Sequence, residues 1–288
     1  MNAVKLDDGR TVAYAEWGDP SGRPLFSLHG TPGCRLNRHP DPRLWSGLGL
    51  RVITLDRPGY GRSTPLPGRR VGHAAHDVGA VADALGVERF LVIGGSGGGP
   101  HALACAAGLG DRVTACAAVA SAAPLTGDEV NGLIGLNQES YRVFAAQGRE
   151  GMAEFLADLR SAILADPGAA MSGNLSDAPR PDVEWYGRPE VQAVHRESLL
   201  EALRPGAQGW VGDAVSVFHD DWGIDLRETP CPVRFWHGDD DRNGPLAAVE
   251  RLAATIPEAR VRIWHGQGHS APARHMTDIL TELIEVAG

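Results

Sequence analysis

Short apolar runs alternate along most of this chain with stretches in which apolar residues recur at helical spacing. From His73 to Leu85 the apolar positions fall on one face of a helix. The same spacing predicts helices from His101 to Ala107, from Leu246 to Thr255 and from about Pro272 to Val286. The apolar runs between them predict eight strands, which are Val4–Leu6, Thr11–Trp17, Leu25–Leu28, Arg51–Leu55, Phe90–Ile93, Val113–Ala120, Val233–Trp236 and Val261–Trp264. Because strands and helices alternate, we expect an α/β fold with a mostly parallel eight-stranded sheet flanked by helices and with antiparallel strands at its start.

The segment between Ala123 and Thr229 has a different character, because glycine and proline break it and it contains no convincing strand. Its helix candidates are Glu129–Gln147, Glu150–Ala165, Glu190–Leu203 and Gln208–Phe218. A helical insertion between two sheet strands predicts a cap, or lid, over the strand ends. We therefore expect a core of residues 1–123 and 229–288 and a helical cap of residues 124–228. The alternative is a few additional surface helices.

A glycine-rich corner follows the predicted strand Phe90–Ile93, and Ser96 stands in it between glycines on both sides. Glycines two residues before and two residues after the serine allow it a strained backbone where a strand turns into a helix. Such a corner holds the hydroxyl clear of its surroundings. It also places the N–H of Gly97 at a helix N-terminus, where negative charge is stabilised. The pattern predicts a nucleophilic serine.

Two other kinds of glycine-rich loop fit this corner poorly. A phosphate-binding P-loop needs Lys-Ser or Lys-Thr after its last glycine, and Pro100-His101 follows here instead. The dinucleotide fingerprint requires a glycine spacing that this stretch meets only loosely. A flexible turn without chemistry is the remaining alternative, so the interpretation depends on partners elsewhere in the chain.

A serine hydroxyl is a weak nucleophile near neutral pH and needs an adjacent base that an acid orients. His269 lies in a loop after the last predicted strand and can act as this base; a surface histidine is the alternative. Asp239, Asp240 and Asp241 follow the preceding strand, and spacing alone does not choose the acid among them. All these residues follow the carboxyl ends of strands, where open α/β sheets bind ligands.

A second glycine-rich loop, His29–Gly33, follows the third predicted strand at the same edge of the sheet. It can aim the backbone N–H of Thr31 at the pocket, beside the N–H of Gly97. Two such donors form an oxyanion hole.

Together these motifs resemble the α/β-hydrolase superfamily, in the capped group that includes proline iminopeptidase-like and esterase-type proteins. The matching stretches are His29–Gly33, Asp56–Ser63, the elbow Gly94–Gly98, the acid loop Gly238–Pro245 and Gly268-His269. They occur in the order nucleophile, acid and histidine, which is the order of the superfamily. The resemblance spans residues 4–123 and 229–288.

The resemblance also implies which aspartate is the acid. In the family the acid stands three residues after a glycine and four before a proline, which matches Asp241 and leaves Asp240 as the second choice. The chain departs from the iminopeptidases at Gly97, where those proteins usually carry tryptophan. This departure weakens the aminopeptidase assignment and leads us to expect a wider pocket on the oxyanion side.

The resemblance implies a serine hydrolase that acts on an ester, amide or lactone carbonyl of a small molecule through Ser96, His269 and Asp241 and an acyl-enzyme. Esterase chemistry is favoured over peptidase chemistry, and no cofactor is implied. A serine nucleophile argues against the epoxide hydrolases and haloalkane dehalogenases of this fold, which use aspartate. Two alternatives stay open: the same triad in carbon–carbon hydrolysis or lyase chemistry, and a ligand-binding member with slow turnover.

Substrate recognition is expected in the cap. Aromatic residues there can line an apolar pocket, and the candidates are Trp185, Tyr186, Trp210, Phe218 and Trp222. Each of them can equally belong to the packed interior of the cap.

The charge of the chain limits the kinds of molecule that it is expected to bind. The 288 residues carry a net charge of −9, which disfavours nucleic acids and anionic membrane surfaces. The first residues lack the apolar core of a signal peptide and the four cysteines are widely scattered, so we expect a cytoplasmic protein without disulfides. The pairs His265/His269 and His73/His76 have ligand-like spacing, but the first straddles two glycines, and no metal site is predicted. Monomer and homodimer both stay open.

Overall fold

A computed structural model describes residues 2–168, 175, 178–218 and 221–288 of the chain. Its centre is one eight-stranded sheet with the order β1-β2-β4-β3-β5-β6-β7-β8. The strands are β1 Asn2–Lys5, β2 Thr11–Gly18, β3 Arg23–Leu28, β4 Leu50–Leu55, β5 Phe90–Gly95, β6 Val113–Val119, β7 Val233–Gly238 and β8 Arg260–Trp264. Strand β2 pairs antiparallel with β1 and β4, and the other pairs are parallel. The predicted α/β sheet with antiparallel strands at its start is confirmed.

Helices flank this sheet and fill the segment between β6 and β7. They are α1 Arg43–Gly47, α2 His73–Ala84, α3 Gly98–Gly108, α4 Gly135–Ala165, α5 Arg180–Tyr186, α6 Pro189–Leu203, α7 Gln208–Phe218, α8 Leu246–Ala253, α9 Ala271–Arg274 and α10 Met276–Val286. No helix of the described residues is both long and apolar enough to cross a bilayer.

The start of α4 differs from the prediction of a helix over Glu129–Gln147. Residues Gly127–Gly132 form a separate 3-10 turn, because the side chains of Thr126 and Glu129 close a capping box at its start. Helix α4 begins only at Gly135, and it is interrupted at Gly148, which has a φ of 61° and a ψ of −151°. The break matches the predicted separation of two helices, since glycine adopts a positive φ at little cost.

Alternate residues of the central strands face opposite layers of the core. In β5, Leu91 and Ile93 pack with α10, whereas Val92 packs with the helices on the other face. This period of two follows from the pleat of a strand. Both faces of the central strands are therefore buried, which leaves the carboxyl ends of the strands as the place where polar loops gather.

A third apolar cluster joins the inserted helices to loops of the core. Met152, Leu156 and Trp210 from the insertion pack there with Cys34 and Tyr60. The last part of the insertion packs elsewhere: Trp222 and Leu226 belong to the apolar cluster around the sheet. The division into a core and a cap of residues 124–228 stays a prediction.

Candidate active site

Ser96 occupies the corner between β5 and α3 with a φ of 55°, a conformation that residues with a side chain rarely adopt. Backbone hydrogen bonds hold it: its N–H donates to the Val119 carbonyl at 3.1 Å, and its carbonyl accepts from the N–H groups of Gly99 and Ala122, each at 3.0 Å. The flanking glycines are required by close approach. A β-carbon on Gly94 would collide with the carbonyl of Gly98, and one on Gly98 would collide with the carbonyl of Leu28. The strained corner predicted from the glycines is present.

The His29–Gly33 loop lies directly beside Ser96. A β-carbon built on Gly30 would stand 3.9 Å from Ser96 Oγ. Arg57 orients this loop, because its guanidinium donates to the carbonyls of His29 and Gly30. In a trans peptide the carbonyl and the next N–H point in opposite directions. The N–H of Thr31 therefore points away from Arg57; its role as an oxyanion donor stays a prediction.

The expectation of a wider pocket at Gly97 is wrong. A β-carbon on Gly97 would collide with Thr31 Oγ1, so the Thr31 side chain already fills the space that the absent side chain leaves. Glycine at this position permits the close approach of the Thr31 loop. It does not open the site.

Asp213, on α7 of the insertion, is the fully buried centre of an ion cluster behind this loop. Its Oδ1 accepts hydrogen bonds from Arg57 Nε at 3.1 Å and from Arg69 Nη2 at 2.6 Å. Its Oδ2 accepts from Thr31 Oγ1 at 2.7 Å and from the Tyr60 hydroxyl at 2.9 Å. Burial alone would raise the pKa of Asp213, but the charges of Arg57 and Arg69 outweigh burial and hold the pKa well below its usual range. The insertion thus supplies the anion that holds the Thr31 loop.

Sequence reasoning did not find this cluster, although Arg57 and Tyr60 stand in one of the motifs that carry the resemblance. Asp213 lies 156 residues from Arg57 along the chain. The residues next to Asp213 in α7 are mostly apolar, and this is the local signal that could have marked it as buried. It does not show which donors Asp213 meets.

We expect Asp213→Asn to lower the free energy of unfolding by about 3–5 kcal/mol, because it leaves two arginines buried without their counter-ion. Urea denaturation followed by circular dichroism measures this change. Asp221→Asn is the matched control, since Asp221 pairs with Arg70 at 2.7 Å but both side chains are more than half exposed. If the two variants lose equal stability, Asp213 does not hold the cluster together.

The buried imidazole of His101 binds the backbone at the start of α3. Its Nδ1 lies 2.7 Å from the Gly97 carbonyl. Burial and the charge of Arg57 lower the pKa of His101 to about 3, so the ring is neutral near pH 7 and donates through Nδ1–H. Its Nε2 has no hydrogen-bond partner within the described part of the chain.

His269 and Asp241 meet in the loops that follow β8 and β7. His269 Nδ1 lies 2.8 Å from Asp241 Oδ2, in the geometry of a hydrogen bond from the imidazole. The other oxygen, Oδ1, accepts from the backbone N–H groups of Asn243 at 2.8 Å and Gly244 at 3.3 Å. Burial alone would raise the pKa of Asp241, but the charge and hydrogen bond of His269 outweigh it and lower the pKa. Asp241 is therefore a buried anion at neutral pH.

The neighbouring aspartates are engaged elsewhere. Asp239 Oδ2 lies 2.8 Å from His265 Nδ1, and its Oδ1 accepts from the N–H of Gly266. Asp240 is exposed and lies 3.5 Å from Arg242. Of the three aspartates that spacing left open, Asp241 is the one whose carboxylate contacts His269.

The five cap aromatics lie in different surroundings. Trp185, Trp210 and Trp222 are 4–7% exposed, and Phe218 packs against Tyr141 at 5.0 Å between ring centroids. Burial, together with the charges of Asp182 and Asp241, raises the pKa of Tyr186. Lining of a substrate pocket stays a prediction for all five.

The histidines with ligand-like spacing have other partners here, as His265 pairs with Asp239 and His269 with Asp241. Within the described residues, no group of three or more histidine, cysteine and acidic side chains is arranged to hold a metal ion.

Comparisons with known proteins agree with this fold. Residues 23–273 match the family described as alpha/beta hydrolase fold. The chain is 28% identical over 272 residues to a non-heme haloperoxidase of Rhodococcus erythropolis, covering 93% of each chain. It is 37% identical to a proline iminopeptidase of Xanthomonas citri over 114 residues, which are 37% of this chain and 35% of that one.

Among solved structures, the enol-lactonase of Burkholderia xenovorans LB400 superposes with a TM-score of 0.71 at 19% identity, over 99% of this chain and all of the other. At this identity the likeness concerns the fold alone. The family match covers most of the chain, and the strand order and the strained serine corner agree with it. On these grounds the chain belongs to the alpha/beta hydrolase family.

Proposed function

We propose that the protein is a serine hydrolase that cleaves an ester or lactone bond of a small molecule through an acyl-enzyme. The observation that carries the proposal is the backbone of Ser96, held at a φ of 55° beside the Thr31 loop. Strain of this kind persists only where the surrounding structure enforces it, and it is typical of functional sites.

In the proposed mechanism, Ser96 Oγ attacks the carbonyl carbon while His269 Nε2 takes its proton. Asp241 fixes the tautomer by accepting from His269 Nδ1 and stabilises the imidazolium that forms. The N–H groups of Gly97 and Thr31 bind the tetrahedral oxyanion. The imidazolium then protonates the leaving group, and a water activated by the same His269 releases the acid. Residues 124–228 act as the cap that covers these steps.

Esters and lactones are favoured over peptides by the extent of the similarities. The iminopeptidase match covers only 37% of this chain, whereas the similarity to a bifunctional esterase/perhydrolase of Acinetobacter calcoaceticus, at 25% identity, covers 99% of it. The tryptophan that usually follows the nucleophile in iminopeptidases is absent, and Thr31 fills its place.

Labelling with a fluorophosphonate probe tests the proposal. We expect covalent modification at Ser96, located by peptide mass spectrometry, with a rate that rises with pH. Burial alone would lower the pKa of His269, but the charge and hydrogen bond of Asp241 outweigh burial and raise the pKa above 6.5. A base works only when neutral, so the rate rises through a midpoint above pH 6.5.

Absence of labelling across this pH range would favour the alternative of a ligand-binding member. A rate independent of pH between 5 and 9 would argue against a histidine base. Turnover of a panel of p-nitrophenyl esters, lactones and aminoacyl anilides then separates esterase and lactonase chemistry from peptidase chemistry.

A further inference from the structure

A second carboxylate reaches the histidine loop from the insertion. Asp182 lies on α5 and is 1% exposed. Its Oδ2 accepts from the backbone N–H of His269 at 2.8 Å. Its Oδ1 accepts from the backbone N–H and the hydroxyl of Ser270, at 2.8 Å and 2.6 Å. One side chain thus binds two successive peptide groups at the proposed base.

The loop is built for this contact. A β-carbon on Gly268 would collide with the Asp182 carboxylate, so only glycine lets the carboxylate approach the peptides on either side of His269. The same loop packs tightly on the acid loop, because a β-carbon on Gly238 would collide with the Gln267 carbonyl. The backbone of His269 is therefore held between Asp182 and the loop that carries Asp241.

The hydrogen-bond donors of Asp182 are uncharged groups. In the part of the chain that the structure describes, the carboxylate has backbone and hydroxyl donors but no arginine or lysine within ion-pair distance. A buried anion without a cationic partner favours positive charge nearby. The imidazolium of His269 is the cation that the proposed mechanism generates beside it.

We propose that Asp182 is a positioning residue for catalysis, which holds the His269 backbone in place and favours the protonated imidazole during turnover. This inference rests on the proposed function. Through Asp182 the insertion helps to position His269, in addition to covering the site. Displacement of α5 would withdraw the acceptors of the His269 and Ser270 N–H groups.

Other titratable groups also surround His269, and their effects must be separated from that of Asp182. Burial lowers the pKa of His269, while Asp241 and then Asp182 raise it, with a net increase. Burial lowers the pKa of His195, and its proximity to His269 lowers it further. The groups packed around the site are Asp241 and His237 on the acid side, Asp182 and Tyr186 on α5, and His195 on α6.

The experiment measures the titration of the His269 imidazole by NMR in Ser96→Ala protein, with and without Asp182→Asn. Loss of one signal in His269→Gln protein assigns the resonance. We expect Asp182→Asn to lower the titration midpoint, because it removes a negative charge that favours the imidazolium. With Ser96 present, we expect kcat to fall about 10²-fold with little change in KM, as a small misplacement of a catalytic group does.

Glu184→Gln is the matched control, since it removes the same charge from the same helix. Glu184 is exposed and pairs with Arg180 at 2.7 Å, so neither the midpoint nor kcat should change. Asp182→Glu keeps the charge and is expected to retain more of the raised midpoint than Asp182→Asn.

A midpoint in Asp182→Asn equal to that of the Glu184→Gln control overturns the proposal, even if the variant has lost thermal stability. If Asp182→Asn does not fold, amide hydrogen exchange in the unmodified protein decides. Slow exchange of the His269 and Ser270 N–H groups supports the contact, and exchange at the rate of an unprotected amide overturns it. Because the titration uses no substrate, its result is independent of whether fluorophosphonate labels Ser96.

Discussion

Replacing Ser96 with alanine is expected to lower kcat for ester hydrolysis by at least about 10³-fold and up to about 10⁶-fold. Alanine removes the proposed nucleophile but leaves the proposed donors of Gly97 and Thr31 and the Asp241–His269 pair in place. The residual rate should be the small acceleration that substrate binding and the oxyanion donors provide alone. Steady-state hydrolysis of the best p-nitrophenyl ester measures the loss.

The chain offers a matched control in Ser121, a buried serine just after β6, the neighbouring strand of the sheet. Its hydroxyl donates to the Ala122 carbonyl at 2.8 Å. Ser121→Ala should retain most of the activity, because it removes a hydroxyl from the same sheet edge without removing the nucleophile. Wild-type turnover by purified Ser96→Ala would end the serine hydrolase interpretation.

Asp241→Asn is expected to lower kcat by about 10⁴-fold while the protein stays folded. An asparagine can present its amide N–H₂ to His269 Nδ1. The imidazole then carries its proton on Nε2, where it cannot accept one from Ser96. The buried environment of Asp241 also leaves no water to replace the lost acceptor, since the side chain has no exposed surface.

Asp240→Asn removes the same charge one residue earlier and serves as the control. Asp240 is exposed and faces Arg242, so its replacement should change kcat less than about threefold, within the small effects expected for exposed ion pairs. The opposite ranking of these two variants would identify Asp240 as the acid and would contradict the distance between Asp241 and His269.

Much of the fold could be predicted because its signals are local. The run of β5 has no charged or hydroxyl side chain, and β6 has only Thr114, so neither strand alternates apolar and polar residues as a half-exposed strand would; both form buried central strands. Helix boundaries were less predictable. A capping box at Thr126 moved the start of α4 to Gly135, and the predicted final helix divides into α9 and α10 at His275.

The candidate site was predicted in part. The strained backbone of Ser96 requires glycines close to it in the sequence. The corner could therefore be recognised from these neighbouring residues alone. Gly97 shows the limit of this reasoning. Its missing side chain suggested open space, but whether space is open depends on Thr31, which a different strand brings to the same place.

The sequence by itself determined the order of strands and helices, the strained serine corner and the loops that follow the carboxyl ends of the strands. These features depend on periodicity and on residues next to one another. The spacing of residues did not choose among Asp239, Asp240 and Asp241; the tertiary structure shows that Asp241 faces His269, and that Asp182 and Asp213 reach the His269 and Thr31 loops. The contacts of Asp182 with His269 and of Asp213 with Arg57 join residues that are 87 and 156 positions apart, so they leave no local pattern in the sequence. A buried carboxylate needs hydrogen-bond donors around it, and here the fold brings those donors from distant parts of the chain.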